Sequence, residues 1–244
     1  MNTLYEKYHS KSKLQNRIIS DENYTYRNLL NIIRDYTKSP KTILDIGCGV
    51  GTIDFYLASK GHSITGLDIS KCAIDIANRN ADLLRVSRNT EFIVSDLPNS
   101  NISRKYNMVL ILEVIEHLLD DGGVIKECYQ LLKSDGILIL STRSENEVLY
   151  KLGIEKNHDQ KAGHLRRYSV NELTKIITGL GFSVLEVKKT EGLVRDSFFV
   201  FPKLGDPIVR VANNFRLFSN ILAFIDDIFL KLFGESQIYI IAKK

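Results

Sequence analysis

The chain has 244 residues, of which 44% are apolar and 25% charged, with 15 glycines and 4 prolines. That balance excludes a disordered, collagen-like or disulfide-stapled chain, and at ~150 residues per domain it points to one large domain with elaborations. The net charge of +4 belongs to the N-terminal segment, since residues 1–41 carry eight Lys/Arg against four Asp/Glu while residues 42–244 carry 25 of each; the remainder lacks the basic stripe of a nucleic-acid binder.

Residues 1–39 read as a helical preface, a lid with Asn28–Tyr36 helical before Pro40. From residue 40 to 244 extended and helical patterns alternate. Lys41–Ile46 is a β-branched run that ends in glycines, and Thr52–Lys60 is helical up to Gly61. Ser63–Leu67 is extended and stops at Asp68; Ser70 then caps a helix expected over Lys71–Val86. Glu91–Ser95 is extended and ends at Asp96. Tyr106–Leu112 is almost wholly apolar, as a strand covered on both faces should be. A helix over Asp120–Ser134 precedes a strand at Ile137–Ser141. Residues 142–168 form a long polar connection, after which Ser169-Val170-Asn171-Glu172 is a capping box opening another helix. Phe182–Lys188 and Gln237–Ala242 are the last strands. The alternation predicts an α/β, Rossmann-like, doubly wound, mainly parallel sheet of seven strands with helices on both faces.

Ligands of such sheets sit at the carboxyl ends of the strands. Asp45, Asp68, Asp96 and Glu113 all fall there. The richest segment is Asp45-Ile46-Gly47-Cys48-Gly49-Val50-Gly51-Thr52, between a strand and a helix. Its glycines permit a sharp turn and a close ligand approach. A dinucleotide fingerprint would need glycine where Thr52 stands, which speaks against an oxidoreductase. A carboxylate ahead of the loop suits a ligand with a positive charge.

This pattern resembles the class I S-adenosylmethionine-dependent methyltransferases, whose D-x-G-x-G-x-G loop is matched by Asp45, Gly47, Gly49 and Gly51, with Cys48 inside it. The resemblance covers residues 41–141 well and continues more weakly to residue 189. It implies that Asp68 accepts from the ribose hydroxyls, Asp96 from the adenine amine, that Ile69 and Leu97 flank the adenine, and that Glu113 orients the methionine moiety. The region after the fourth strand reads LEVIEHLL. It lacks the Asn/Asp-Pro-Pro-aromatic motif of the amino-methylating branch.

Glu113, Glu116 and His117 share a face if they lie on one helical turn. One reading makes His117 a general base, with His164, in Gly163-His164-Leu165-Arg166-Arg167-Tyr168, as an acceptor-side acid/base group. The E-V-I-E-H string looks like that of ubiquinone-type O-methyltransferases. It also looks like that of small-RNA 3′-terminal 2′-O-methyltransferases, and that second likeness would make Glu113, Glu116, His117 and His164 ligands of a divalent metal. Such an ion is left open and is not expected.

Residues 190–235 are an apolar insertion with a stripe at helical spacing. A lid on the sheet, a dimer interface, an acceptor pocket and a membrane-facing surface are all open for it. The resemblance implies that Tyr5, Tyr8 and His9 reach the pocket from the N-terminal side. Three cysteines without C-x-x-C spacing, no signal-peptide core and no run of ~18 apolar residues point to a cytoplasmic protein, with peripheral membrane contact left open. The expected activity is S-adenosylmethionine-dependent O-methylation of a small hydrophobic, lipid- or glycan-linked acceptor. Alternatives are a 2′-O-methyltransferase of RNA termini and a non-catalytic S-adenosylmethionine-binding partner subunit. Nucleic acid is not expected as a partner, and an oligomer is left open.

Overall fold

Side chains alternate across a strand, so a strand buried on both faces must be apolar at every position. In the computed structural model, which describes residues 2–98, 102–155, 159–160 and 162–244, the central strands behave in this way. The strands are β1 (Thr42–Ile46), β2 (Ser63–Asp68), β3 (Thr90–Val94), β4 (Tyr106–Leu112), β5 (Leu132–Arg143), β6 (Ser183–Thr190) and β7 (Gln237–Lys243), with β3 and β6 at the half-exposed edges. They form one sheet in the order β3-β2-β1-β4-β5-β7-β6. β7 is antiparallel to both neighbours and the other pairings are parallel. Met108 and Leu110 of β4 join Ile43, Ile64 and Ile139 on one face. Val109 and Ile111 join Leu44, Leu67 and Leu138 on the other. Each such fully buried aliphatic side chain contributes roughly 1.5–3 kcal/mol.

The helices, in chain order, are α1 (Asn2–His9), α2 (Arg27–Tyr36), α3 (Thr52–Ser59), α4 (Lys71–Leu83), α5 (Asp121–Leu131), α6 (Val148–Lys151), α7 (Val170–Gly179), α8 (Leu193–Val200), α9 (Pro202–Ala212) and α10 (Arg216–Phe233). Residues of α2, α3 and α4, among them Leu30, Phe55 and Ala77, cover the first face. Val124 and Ile125 of α5 and Leu173 and Ile177 of α7 cover the second. The two helices of the preface therefore do different work. α2 belongs to the core, while α1 lies over the ligand crevice described below.

Three local expectations need correction. α4 stops at Leu83, not Val86, because Arg85 adopts the left-handed conformation (φ +59°). The Val86 N–H donates to the Ala81 carbonyl at 2.9 Å and the Arg85 N–H to that of Asp82 at 3.1 Å, a Schellman closure made without glycine. α5 stops at Leu131, not Ser134. Leu132 is buried as the first residue of β5, opposite Tyr106, and the left-handed residue is Asp135. Finally, Glu113 has φ +55°, and only Ile115–His117 form a helical, 3-10 turn. Glu113, Glu116 and His117 thus do not share one face. Residues 156–158 and 161 of the polar connection lie outside the described residues.

The insertion folds as α8, α9 and α10. Asp226, buried near the middle of α10, accepts from the N–H groups of Gly192 (2.9 Å) and Arg195 (2.8 Å), satisfying donors at the start of α8. Arg195 donates to the Tyr24 carbonyl at 2.8 Å and stacks over the Tyr24 ring. These bonds lock the insertion onto the N-terminal segment. No described helix is long and apolar enough to cross a membrane.

Candidate active site

The strand order reverses between β1 and β4, and connections that diverge there leave a crevice at the carboxyl ends of the strands. A cavity of about 590 Å³ occupies it, within the usual range of small-molecule sites. Gly47 and Gly49 follow β1, Asp68 and Ile69 close β2, Ser95, Asp96 and Leu97 follow β3, and Glu113 follows β4; all line the cavity. His117, Leu118, Ala162 and His164 line it too, and Tyr5, Tyr8 and His9 of α1 roof it.

Gly47 shows why the loop needs glycine. Its φ is +74°, and a Cβ there would sit 2.3 Å from Val114 Cγ2. Gly51 is also left-handed (φ +85°), but a Cβ there would meet the Phe55 ring at 2.6 Å. It serves helix packing and does not line the cavity. Asp68 accepts from the Gly49 N–H at 2.9 Å through Oδ2 and from the Ser70 N–H at 2.8 Å through Oδ1. An ionised carboxylate has about four acceptor sites. Both oxygens can therefore take a ligand hydroxyl while holding the loop.

Asp45, Cys48 and Glu116 depart from expectation, since none lines the cavity. Asp45 is buried beneath the loop beside Asp54. Burial and the neighbouring Asp54 push the Asp45 carboxyl well above the usual range, and burial raises Asp54 to about 7. Two carboxyl groups in one dry site hold a proton between them, and this pair does not face a ligand's positive charge. The Cys48 thiol packs toward Gly66, and burial raises its pKa. Glu116 is fully buried and accepts from the Thr142 hydroxyl at 2.9 Å. Glu113 does line the cavity, and its Oε1 accepts from Ser141 Oγ (3.0 Å) and Gln237 Nε2 (2.8 Å).

The two histidines come together, with ring centroids 4.8 Å apart. His117 Nδ1 lies 3.2 Å from the Gly163 carbonyl. A carbonyl only accepts, so Nδ1 carries the hydrogen and Nε2 keeps its lone pair. Burial, followed by the nearby His164, lowers the His117 pKa, which leaves the imidazole neutral at pH 7. His164 Nδ1 lies 2.8 Å from the Asp159 carboxylate, a second oriented imidazole. Sequence reasoning missed Asp159. Its only signal was a carboxylate five residues before His164, and the main-chain bond from the His164 N–H to the Asp159 carbonyl creates that proximity. Glu116, His117 and His164 bring potential ligand atoms within 4.8 Å of one another, and Glu113 is outside this group. Of the four residues left open as metal ligands, three come together.

Behind His164 lies a buried ion-pair network. Arg143 bonds Glu147, Glu155 and Asp196, and Arg167 bonds Glu147, Glu155 and Asp159. Two guanidiniums face four carboxylates, and burial pushes Glu155 up to about 7. Arg167 neither lies at the surface nor lines the cavity: it is buried and fixes Asp159. Arg166 stays near the surface, bonded to Asp121 at 3.1 Å. Over the cavity, Glu6 accepts from the N–H groups of Lys71 (2.7 Å) and Cys72 (3.2 Å), pinning α1 to the positive end of α4. Tyr5 Oη and His9 Nδ1 are buried at the roof with no hydrogen-bond partner among the described residues. A ligand rich in polar atoms would satisfy them.

The geometry fits an adenosyl cofactor, with a glycine cradle, a carboxylate at each of two further strand ends and apolar walls at Ile69 and Leu97. A family model described as a methyltransferase domain matches residues 18–187. The chain belongs to the methyltransferase-domain family. A ubiquinone biosynthesis O-methyltransferase of Nitrosomonas europaea is 33% identical over 118 residues, 48% of this chain and 49% of that protein. One of Pseudomonas aeruginosa is 30% identical over 114 residues, covering 47% and 49%. The match spans about half the length of these curated relatives. Among solved structures, magnesium protoporphyrin IX methyltransferase from Synechocystis with bound S-adenosylmethionine superposes with a TM-score of 0.58 at 17% identity, covering 91% of this chain and 79% of that one. The [4+2]-cyclase SpnF superposes at 0.63 and 17%, covering 99% and 92%. These likenesses establish the class I methyltransferase fold, and the cyclase shows that the fold alone does not set the reaction.

Proposed function

We propose that this methyltransferase-family chain binds S-adenosylmethionine in the crevice and transfers its methyl group to an oxygen of a small acceptor, with His117 as general base. The observation that carries the reading is the His117 imidazole, held by Gly163 through Nδ1 and lining the same cavity as the glycine loop and Asp68. The bound cofactor supplies an electrophilic methyl group on a sulfonium, an excellent leaving group. Asp68 anchors the ribose side, Asp96 accepts from the adenine amine, and Glu113, fixed by Ser141 and Gln237, orients the amino-acid end. His117 Nε2 takes the hydroxyl proton as the acceptor oxygen becomes nucleophilic, and His164, steered by Asp159, shares the acceptor side. α1 excludes water through Tyr5, Tyr8 and His9. Holding the acceptor in line can supply ~7–11 kcal/mol. The relatives' name as O-methyltransferases supports oxygen as the accepting atom.

No step needs a resident metal. Glu116 lies beneath the cavity, and Glu113 Oε1 already serves two donors. Activity retained in excess chelator is the expected result, and activity that requires Mg²⁺ or Mn²⁺ would favour the metal-assisted alternative.

The test is transfer of labelled methyl to a panel of hydroxylated aromatic acceptors. His117→Ala should lower kcat by about 10²–10⁴-fold, the range for a general base, with S-adenosylhomocysteine affinity unchanged. The acid limb of the kcat profile should fall below the ordinary imidazole value of 6.5, since burial lowers the His117 pKa. Unchanged turnover in both His117→Ala and His164→Ala would remove the base from the mechanism.

A further inference from the structure

α10 is apolar over most of its circumference, including a row that faces outward. Leu217, Ile221, Phe224, Ile228 and Leu232 recur at i, i+4, i+7, i+11 and i+15 and fall within an arc of roughly 80° at about 100° per residue. Leu217 is 75% exposed, Phe224 66% and Leu232 69%. The residues that α10 buries are Ser219 and Asp226, on the opposite side. The cause is visible in the packing. Asp226 and Ser219 face inward among the half-buried Phe218, Leu222, Phe229 and Leu230, and Asp226 accepts the N–H groups at the start of α8, so a second apolar row is left on the outer side. Scattered exposed leucines are ordinary, whereas an aligned row of this kind marks a contact surface.

The insertion contributes nothing to the cavity lining, so the row is not an acceptor pocket. Its place in the fold is nonetheless close to the chemistry. Thr190, at the end of β6, pairs with Gln237, which pairs with Arg143 at the end of β5. The insertion therefore leaves the sheet at the same edge on which the crevice opens. Asp196 of α8 is bonded to Arg143, in the network that also holds Asp159 and His164.

Charge selects the occupant. Arg216 is paired with Glu22 at 3.1 Å, which leaves Lys203, Arg210 and Lys231 against Asp206 and Asp227 as the exposed ionic residues of α9 and α10. An apolar row edged by excess cations complements an anionic lipid surface. We propose that α9 and α10 form a lipid-docking face that lays the protein flat on an anionic bilayer, with Phe224 and its row entering the acyl boundary and the cations meeting the headgroups. One side of α10 is packed on α8, so the helix lies along the surface. This goes beyond methyl transfer and does not depend on it. A docked molecule has the crevice edge near the membrane, where an amphiphilic acceptor would reside.

The experiment is co-sedimentation of the full chain with vesicles of equimolar phosphatidylglycerol and phosphatidylcholine, compared with phosphatidylcholine alone. Wild type should sediment with the anionic vesicles, and added salt should weaken it. The double variant L217E/F224E should bind about a hundredfold more weakly, and K203Q/R210Q/K231Q about fivefold more weakly for each charge removed. These side chains are exposed, and S-adenosylhomocysteine affinity measured in the same samples should match wild type, which separates this test from the fate of the methyltransferase reading. Wild type left in the supernatant of anionic vesicles would overturn the proposal, as would equal sedimentation of all three proteins. So would a wild-type dimer that fails to bind vesicles and that L217E/F224E converts to monomer, since the row would then be a self-interface.

Discussion

Substituting Asp68 by Asn separates the carboxylate's two tasks. The side chain is nearly buried, and each oxygen already accepts one main-chain N–H, from Gly49 at 2.9 Å and from Ser70 at 2.8 Å. In Asp68→Asn one of those donors must face an NH₂ group, which also donates. A buried donor left unmet costs about 1–3 kcal/mol, so the glycine loop should loosen by that amount while the sheet stays folded. The amide also loses the charge that strengthens bonds to ribose hydroxyls. Loss of one charge-assisted hydrogen bond is worth about 1.5–3 kcal/mol, or roughly ten- to 150-fold in affinity. The two losses add, because the loop must re-form when ligand binds. Titration calorimetry with S-adenosylhomocysteine, beside thermal denaturation of the ligand-free protein, measures both. A variant that binds with wild-type affinity would refute the placement of the ribose at β2, whatever happens to stability.

The Asp45–Asp54 pair makes stability fall with rising pH. Burial raises Asp54 to about 7 from the ordinary 3.8, so between those values the unfolded chain has released a proton that the folded chain still binds. Asp54→Asn should therefore raise Tm at pH 8, by on the order of 2–4 kcal/mol in stability, and the gain should shrink toward pH 4; a variant less stable at pH 8 would show that the pair is not in conflict. Gly47→Ala places a methyl group 2.3 Å from Val114 Cγ2 in a left-handed conformation that costs alanine about 1–2 kcal/mol. Cofactor affinity should collapse, and adding Val114→Ala should recover part of it, so strictly additive losses in calorimetry would disprove the clash. Arg167→Met leaves Arg143 to face the carboxylates alone and should cost about 3–5 kcal/mol in urea denaturation, with unchanged stability counting against the network.

The order of elements was legible because strand-length apolar runs and capped helices carry local signals. Tyr106–Leu112, the Ser70 cap and the Ser169 cap appear where the residues place them. The strand ends that line the cavity were legible for the same reason, since Asp68 and Asp96 follow runs whose pattern is visible in isolation. What the residues could not show was direction. Glu113 takes a left-handed turn and Glu116 is drawn under the cavity by Thr142, so a helical-face argument fails across these five positions. Asp45 sits at its predicted position but points to Asp54, a partner on the next helix. Asp159 steers His164, and Arg167 is buried, because the long connection folds back under β5 into a network of residues far apart in the chain. The stripe of α10 was correctly read as helical, yet which way it faces depended on Asp226 being needed at the start of α8. Periodicity reports that a helix has two sides. Which side meets the protein is set by the hydrogen-bonding needs of the neighbour it packs against.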